Sequence, residues 1–348
     1  MINQRKKREI IFGVILTGLF FLWMIFFLNK EFVYNCDLRL HYEFALQLPS
    51  IFEMGIGRFE EEVKYAHILS YPGWHLLFLL FYNILSKICG LLGIAANTGT
   101  LSVISQAILN SLVLILTFYA VVCVYRRYYK VAEKWAWTFG VIIMFVGPLY
   151  LHTVNPSYYI GQFTANPWHN PTTFIVKPFT IGVFFLYCWI WKKHNSTSTI
   201  EVKKQENKLL IIFGLCLLIS GYFKPSFYQS FVPALFVFFV IDVFRTKFKN
   251  FIFCLKTGIA VFPVCLIALI QYLTSFTAVG NRVILKPFEV WEYFTPHIVG
   301  SFMLSMAFPI LSFFLCRRAE KKEKFEPSFL LGILFFFVSV DTVYSIQF

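Results

Sequence analysis

Two uninterrupted apolar runs limit what this chain can fold into. Neither Ile10–Leu28 nor Leu101–Val124 contains a charged side chain. Each is close to the ~20 residues that an α-helix needs to cross ~30 Å of hydrocarbon. Similar runs follow at Trp135–Leu151, Thr172–Ile190, Leu209–Tyr222, Phe227–Val243, Phe251–Leu273, Ile298–Leu315 and Phe329–Val343. Composition agrees. Charged residues make up 14% of the chain, against about 25% in a soluble domain. Forty-four Phe are too many for one soluble core. The residue-by-residue alternation of an outer-membrane barrel is absent. The expected fold class is an all-α integral membrane protein, a single polytopic domain over residues 1–348.

The net charge of +13 would point to nucleic acid in a soluble protein, but here its distribution reports orientation. Arg5-Lys6-Lys7-Arg8 precede the first run and place the N-terminus in the cytoplasm. No small-residue cleavage site follows that run, so it reads as a retained span and not a signal peptide. Arg126, Arg127, Lys130 and Lys134 follow Val124; Lys192, Lys193, Lys203, Lys204 and Lys208 follow Ile190. Arg245, Lys247 and Lys249 follow Val243; Arg317, Arg318, Lys321, Lys322 and Lys324 follow Leu315. These clusters hold most of the 31 basic residues, and they share one side only if Pro72–Val124 crosses the membrane once. The run from Pro72 to Ile94 is the weaker span, because Asn83, Ser86 and Lys87 interrupt it and Trp74 and His75 open it. It is expected to lie along the outer surface, with Trp74 at headgroup depth. The layout is then about nine transmembrane helices, with interfacial helices in a long first outer loop (residues 30–100) and the remaining spans in residues 101–346.

Of the eight Cys, only Cys36 falls in an aqueous stretch; the others sit in or beside apolar runs at no metal-like spacing and read as small apolar fillers. Walker-type Gly-rich loops, Gly-x-Ser-x-Gly and His-Glu-x-x-His are all absent. Asp242 and Lys256 are expected to reach the surface near cytoplasmic span ends.

The residues that can carry chemistry gather on the outer side. Asp37 and His41, just beyond the first span, are four apart and share a face if the stretch is helical. That pair suits acid–base work or a divalent ion; an ordinary polar loop carries such residues too. No cofactor follows from the sequence, and a divalent metal stays open. Lys177, Lys224, Arg282 and Lys286 are cations on the outer side, three of them before proline: Lys177-Pro178, Lys224-Pro225 and Lys286-Pro287. Proline after lysine is expected to break the helix locally, and outer cations at such breaks fit an anionic headgroup or lipid phosphate. Snorkelling to the surface is the alternative reading. His152-Thr153-Val154-Asn155-Pro156 and Asn166-Pro167-Trp168-His169-Asn170-Pro171 combine turn chemistry with aromatic faces that suit a sugar, or an interfacial aromatic belt.

The order of these features resembles the polytopic glycosyltransferases of the GT-C class, which use polyprenyl-phosphate-linked sugars. A basic N-terminus and first span lead to Asp37-Leu38-Arg39-Leu40-His41. Tyr71-Pro72-Gly73-Trp74-His75 opens a non-spanning apolar helix, and Val124-Tyr125-Arg126-Arg127 ends the next span. The resemblance covers residues 5–245 in architecture and 30–127 in motif. It implies that Asp37 is the base that activates an acceptor hydroxyl. It implies a polyprenyl-phosphate sugar as donor and a cell-surface glycan, lipid or protein as acceptor, at the outer face of the cell membrane. His41, His169, Lys177, Lys224, Arg282 and Lys286 are then candidates for substrate binding. The class often has a further acid in its second outer loop; residues 152–171 contain no Asp or Glu, leaving His152 or His169 as local substitutes. Members also tend to continue beyond the equivalent of Phe348, which suggests a shortened member. Two other function classes use the same features: a transporter or flippase of a lipid-linked sugar, and a non-catalytic membrane subunit of a glycan assembly complex.

Overall fold

A computed structural model describes residues 4–28, 37–54, 71–145, 153–154, 170–196, 200–273, 292, 295–320, 327–328 and 330–335. Among them there is no strand. In chain order the helices are α1 (Gln4–Leu28), α2 (Asp37–Met54), α3 (Gly73–Leu91), α4 (Thr98–Cys123), α5 (Glu133–Phe145), α6 (Pro171–Ser196), α7 (Ile200–Phe223), α8 (Ser226–Arg245), α9 (Phe251–Tyr272) and α10 (Ile298–Glu320). Among the described residues seven helices are long and apolar enough to cross a membrane: α1, α3, α4 with its π-helical extension to Tyr128, and α6 to α9. The protein is therefore an all-α, multi-pass membrane protein. Six of the seven fall on runs expected to span; the seventh is α3, expected from sequence to lie flat. Most of the expected last span, Phe329–Val343, lies outside the described residues.

The helix boundaries follow from local chemistry. Pro72, with φ −76°, precedes α3, where its fixed φ suits a helix start and its missing N–H costs nothing. The helix stops at Gly93, whose φ is +66°. The Ile94 N–H donates to the Cys89 carbonyl at 2.9 Å and the Gly93 N–H to Gly90 at 3.2 Å, a Schellman ending that needs a left-handed residue. Asn97 caps α4 by accepting from the Thr100 N–H at 2.8 Å. Asn170 does the same for α6, accepting from the Thr173 N–H at 3.1 Å and the Thr172 hydroxyl at 2.6 Å. Pro171 then takes the first helical position, where sequence placed the helix start.

The chain forms two compact units: residues 1–144 with 167–181, and residues 145–166 with 182–348. In unit one, α1 packs on α4. Glu9 pairs with Arg126 at 3.1 Å, Phe12 meets Phe118 at 5.7 Å, and the Tyr119 hydroxyl donates to the Glu9 carbonyl at 3.1 Å. Early residues of α1 therefore meet late residues of α4, and the two run antiparallel. Gly13 permits this approach, because a Cβ there would collide with the Tyr119 hydroxyl.

Unit two is tied at one end by a buried carboxylate. Asp242, 1% exposed, accepts from Trp191 Nε1 at 3.0 Å, Asn250 Nδ2 at 2.7 Å and the Arg245 guanidinium at 2.9 Å. This corrects the expectation that Asp242 reaches the surface. Three donors from the ends of α6, α8 and α9 replace water, which lets the carboxylate be buried. Beside it, His194 Nδ1 contacts Glu206 at 2.7 Å and stacks on Phe253. Farther along the helices, Gln271 donates to the Gly221 carbonyl at 3.1 Å and hydrogen-bonds Tyr228.

Candidate functional site

Two of the residues that sequence singled out, Asp37 and His41, fall on α2. That segment is helical from Asp37 onward, so Asp37 and His41 stand one turn apart on one face. Here the expected helix forms. His41 is 8% exposed and reaches across to α3, where its Nδ1 lies 3.0 Å from His75 Nε2. Such a contact needs one nitrogen to donate and the other to accept, so at least one ring is neutral. His75 sits in the first turn of α3 because Pro72 starts the helix there.

Trp74 is fully buried beside this pair. Its ring meets His41 edge-on at 6.0 Å and stacks on Phe78 at 5.4 Å. Phe78 is one turn along α3, on the same face. The indole therefore packs inside the protein, where α2 supplies a ring partner that an isolated surface helix would lack. Among the described residues its Nε1 has no hydrogen-bond partner.

Lys177 is half-buried on α6 in unit one, with its ammonium 5.6 Å from the centre of the Phe174 ring, a cation–π distance. The expected break at Lys177-Pro178 does not occur; α6 runs through Pro178. An interior proline costs a helix one hydrogen bond, here to the Phe174 carbonyl, without stopping it when packing holds both halves. Lys224-Pro225 does break the chain, separating α7 from α8. Lys224 belongs to unit two and its N–H donates to the Ser220 carbonyl at 3.0 Å. His152, His169, Arg282 and Lys286 lie outside the described residues. Among the described residues no three His, Cys, Asp or Glu are grouped to hold a metal ion.

One polar feature went unseen in the sequence reading. Ser102, Gln106 and Asn110 on α4 are all buried. Among the described residues the Ser102 hydroxyl, Gln106 Oε1 and both amide atoms of Asn110 have no hydrogen-bond partner. Positions i, i+4 and i+8 fall on one face of a helix. The face that meets α1 through Phe118 and Tyr119 is a different one, at 100° of rotation per residue. Polar groups of this kind inside a span are costly to leave unpaired, which makes the stripe a candidate site. The signal was visible as a four-residue polar spacing; averaging hydropathy over the run hides it.

No protein-family model, curated protein or solved structure matches this chain.

Proposed function

We propose that the protein is a membrane glycosyltransferase that moves a sugar from a polyprenyl-phosphate carrier to a cell-surface acceptor, with Asp37 as the base. The observation that carries this reading is the His41–His75 contact at 3.0 Å. It fixes α2, whose first residue is Asp37, against the start of α3. A carboxylate at the edge of a membrane protein becomes useful for proton abstraction when its helix is held still.

The antiparallel packing of α1 and α4 supports the layout this needs. Two antiparallel spans have an even number of crossings between them. Between them lie α2, which carries Asp37, Arg39, His41 and Glu43, and residues 55–70, which carry Arg58, Glu60, Glu61 and Glu62. Neither is apolar enough to cross. α3 is the one remaining candidate, so an even count leaves it on the side where α1 ends. With the basic N-terminus in the cytoplasm, α2 and α3 then lie on the outer face, in the long first loop of a layout with about nine spans.

In the reaction, Asp37 takes the proton of an acceptor hydroxyl as its oxygen attacks the anomeric carbon. The new carbon–oxygen bond forms with inversion while the bond to phosphate breaks, and polyprenyl phosphate leaves with the electron pair. His41 and His75 are positioning residues. Lys177, in the same unit as Asp37, is the cation assigned to the phosphate charge, which grows as the bond breaks.

The buried stripe Ser102, Gln106 and Asn110 favours a second reading, a flippase that passes a polar headgroup along α4. Proteoliposomes holding the full chain and a panel of polyprenyl-phosphate sugars separate the two. The glycosyltransferase releases polyprenyl phosphate in the presence of an acceptor, and Asp37→Asn slows release by about 10²-fold or more. Movement of labelled donor across the bilayer with no release of polyprenyl phosphate refutes the enzyme and supports the flippase.

A further inference from the structure

α7 and α9 run parallel in unit two: Asn207 meets Lys256 at 3.1 Å, and farther along Gly221 meets Gln271. They approach closely at Gly214, where an added Cβ would lie 2.5 Å from the Ala260 carbonyl oxygen. Above this crossing lies a trough of about 370 Å³, within the range of small-ligand sites. Its walls include Ile211, Leu215 and Ile259, which are 62%, 53% and 66% exposed. Asn207 and Lys256 line one end, and Leu218 and Pro263 line the other. Both helices are long and apolar enough to span a membrane, so a trough with open apolar walls meets lipid.

We propose that this trough binds an acyl chain of an anionic phospholipid, with Lys256 on the phosphate. Length supports a chain of one leaflet. Asn207 to Leu218 is eleven helical steps, roughly 16 Å, about half of a ~30 Å hydrocarbon core. Charge supports the headgroup. Lys256 has three donor hydrogens; one meets Asn207 at 3.1 Å. Its other anchor is the Glu206 carboxylate at 3.8 Å, which is also engaged by His194 at 2.7 Å. A donor therefore remains for a phosphate oxygen. Lys208, Arg245, Lys247 and Lys249 lie at the same ends of α7, α8 and α9, and basic clusters at a membrane surface attract anionic lipid. The site stands whether or not the protein is a glycosyltransferase.

Native mass spectrometry of the purified full chain, with phosphatidylglycerol or phosphatidylcholine of matched chain length, tests it. Wild type is expected to retain phosphatidylglycerol preferentially. Lys256→Gln weakens that retention about five-fold, and Lys256→Arg keeps it. Ile259→Trp fills the trough and removes retention of both lipids, whereas Phe244→Trp, outside the trough, leaves retention intact. Equal retention of the two lipids by wild type overturns the proposal. So does unchanged phosphatidylglycerol retention in Lys256→Gln, or in Ile259→Trp. Lys256 is half-exposed, so its neutral variant is expected to fold; if it does not, the Ile259→Trp and Phe244→Trp pair decides the outcome.

Discussion

Replacing Asp242 by alanine takes the acceptor away from three donors at once. Two of them, Trp191 and Asn250, are each 5% exposed and cannot turn to water. A buried donor left without a partner costs about 1–3 kcal/mol. Asn250 keeps its second bond, to Asn195 Oδ1 at 3.1 Å, which puts it at the lower end. Arg245 is different: its side chain is 38% exposed, so it rehydrates and adds ~1 kcal/mol at most. Removing a buried carboxylate also relieves its desolvation, which works in the opposite direction. The net loss comes to about 2–4 kcal/mol. In a chain of 348 residues that lowers the midpoint of thermal unfolding by roughly 3–5 °C. The assay is thermal unfolding of the full chain in detergent, with Arg245→Gln as the comparison. Arg245→Gln removes one half-exposed donor and should shift the midpoint by less than half as much. Equal shifts for the two variants, or none for Asp242→Ala, would refute the reasoning that burial of the donors sets the cost.

Further outcomes follow from the same geometry. Gly214→Ala forces α7 away from the Ala260 carbonyl and should cost about 1–3 kcal/mol. Gly258→Ala on α9, with nothing within 4 Å of its added Cβ, should be neutral or stabilise by up to ~1 kcal/mol; detergent-phase unfolding compares them. His41→Ala should lower kcat by about 10²-fold at an unchanged amount of folded protein, since a helix displaced by ~1 Å misplaces its base; wild-type turnover would remove the positioning role. A cysteine placed at Ala95, in the exposed turn between α3 and α4, should react with an impermeant thiol reagent from outside the cell. Protection there, with labelling only after permeabilisation, would sink the proposed layout.

How far this architecture was legible depends on the range of the interaction concerned. Helix ends were readable, because Pro72, Asn170 and Pro171 act on their own turn. The Asp37–His41 spacing was readable for the same reason. The His41–His75 contact was not: the partners are 34 positions apart, and no local spacing announces which aromatic or imidazole ring will face another. The burial of Trp74 was hidden on that account, since an indole near an expected interface suits headgroups and protein cores alike. Asp242 was misplaced because a lone acid at a span end normally seeks water, and its donors Trp191 and Asn250 come from other helices. Pro178 shows the converse. Proline raised the expectation of a break, yet α6 continues through it, because a span loses one hydrogen bond and gains its stability elsewhere. The α4 stripe was present in the sequence throughout, but a run free of charges was read for its length and not for the phase of its few polar residues.

The central claim is that a proton leaves the acceptor through Asp37, and one measurement addresses it directly. The gene is deleted in its host, and wild type or Asp37→Asn is restored at matched membrane levels. The sugar composition and branching of the surface glycans are then compared. The account predicts that deletion removes a sugar, that wild type restores it and that Asp37→Asn does not. Equal restoration by both proteins would contradict it.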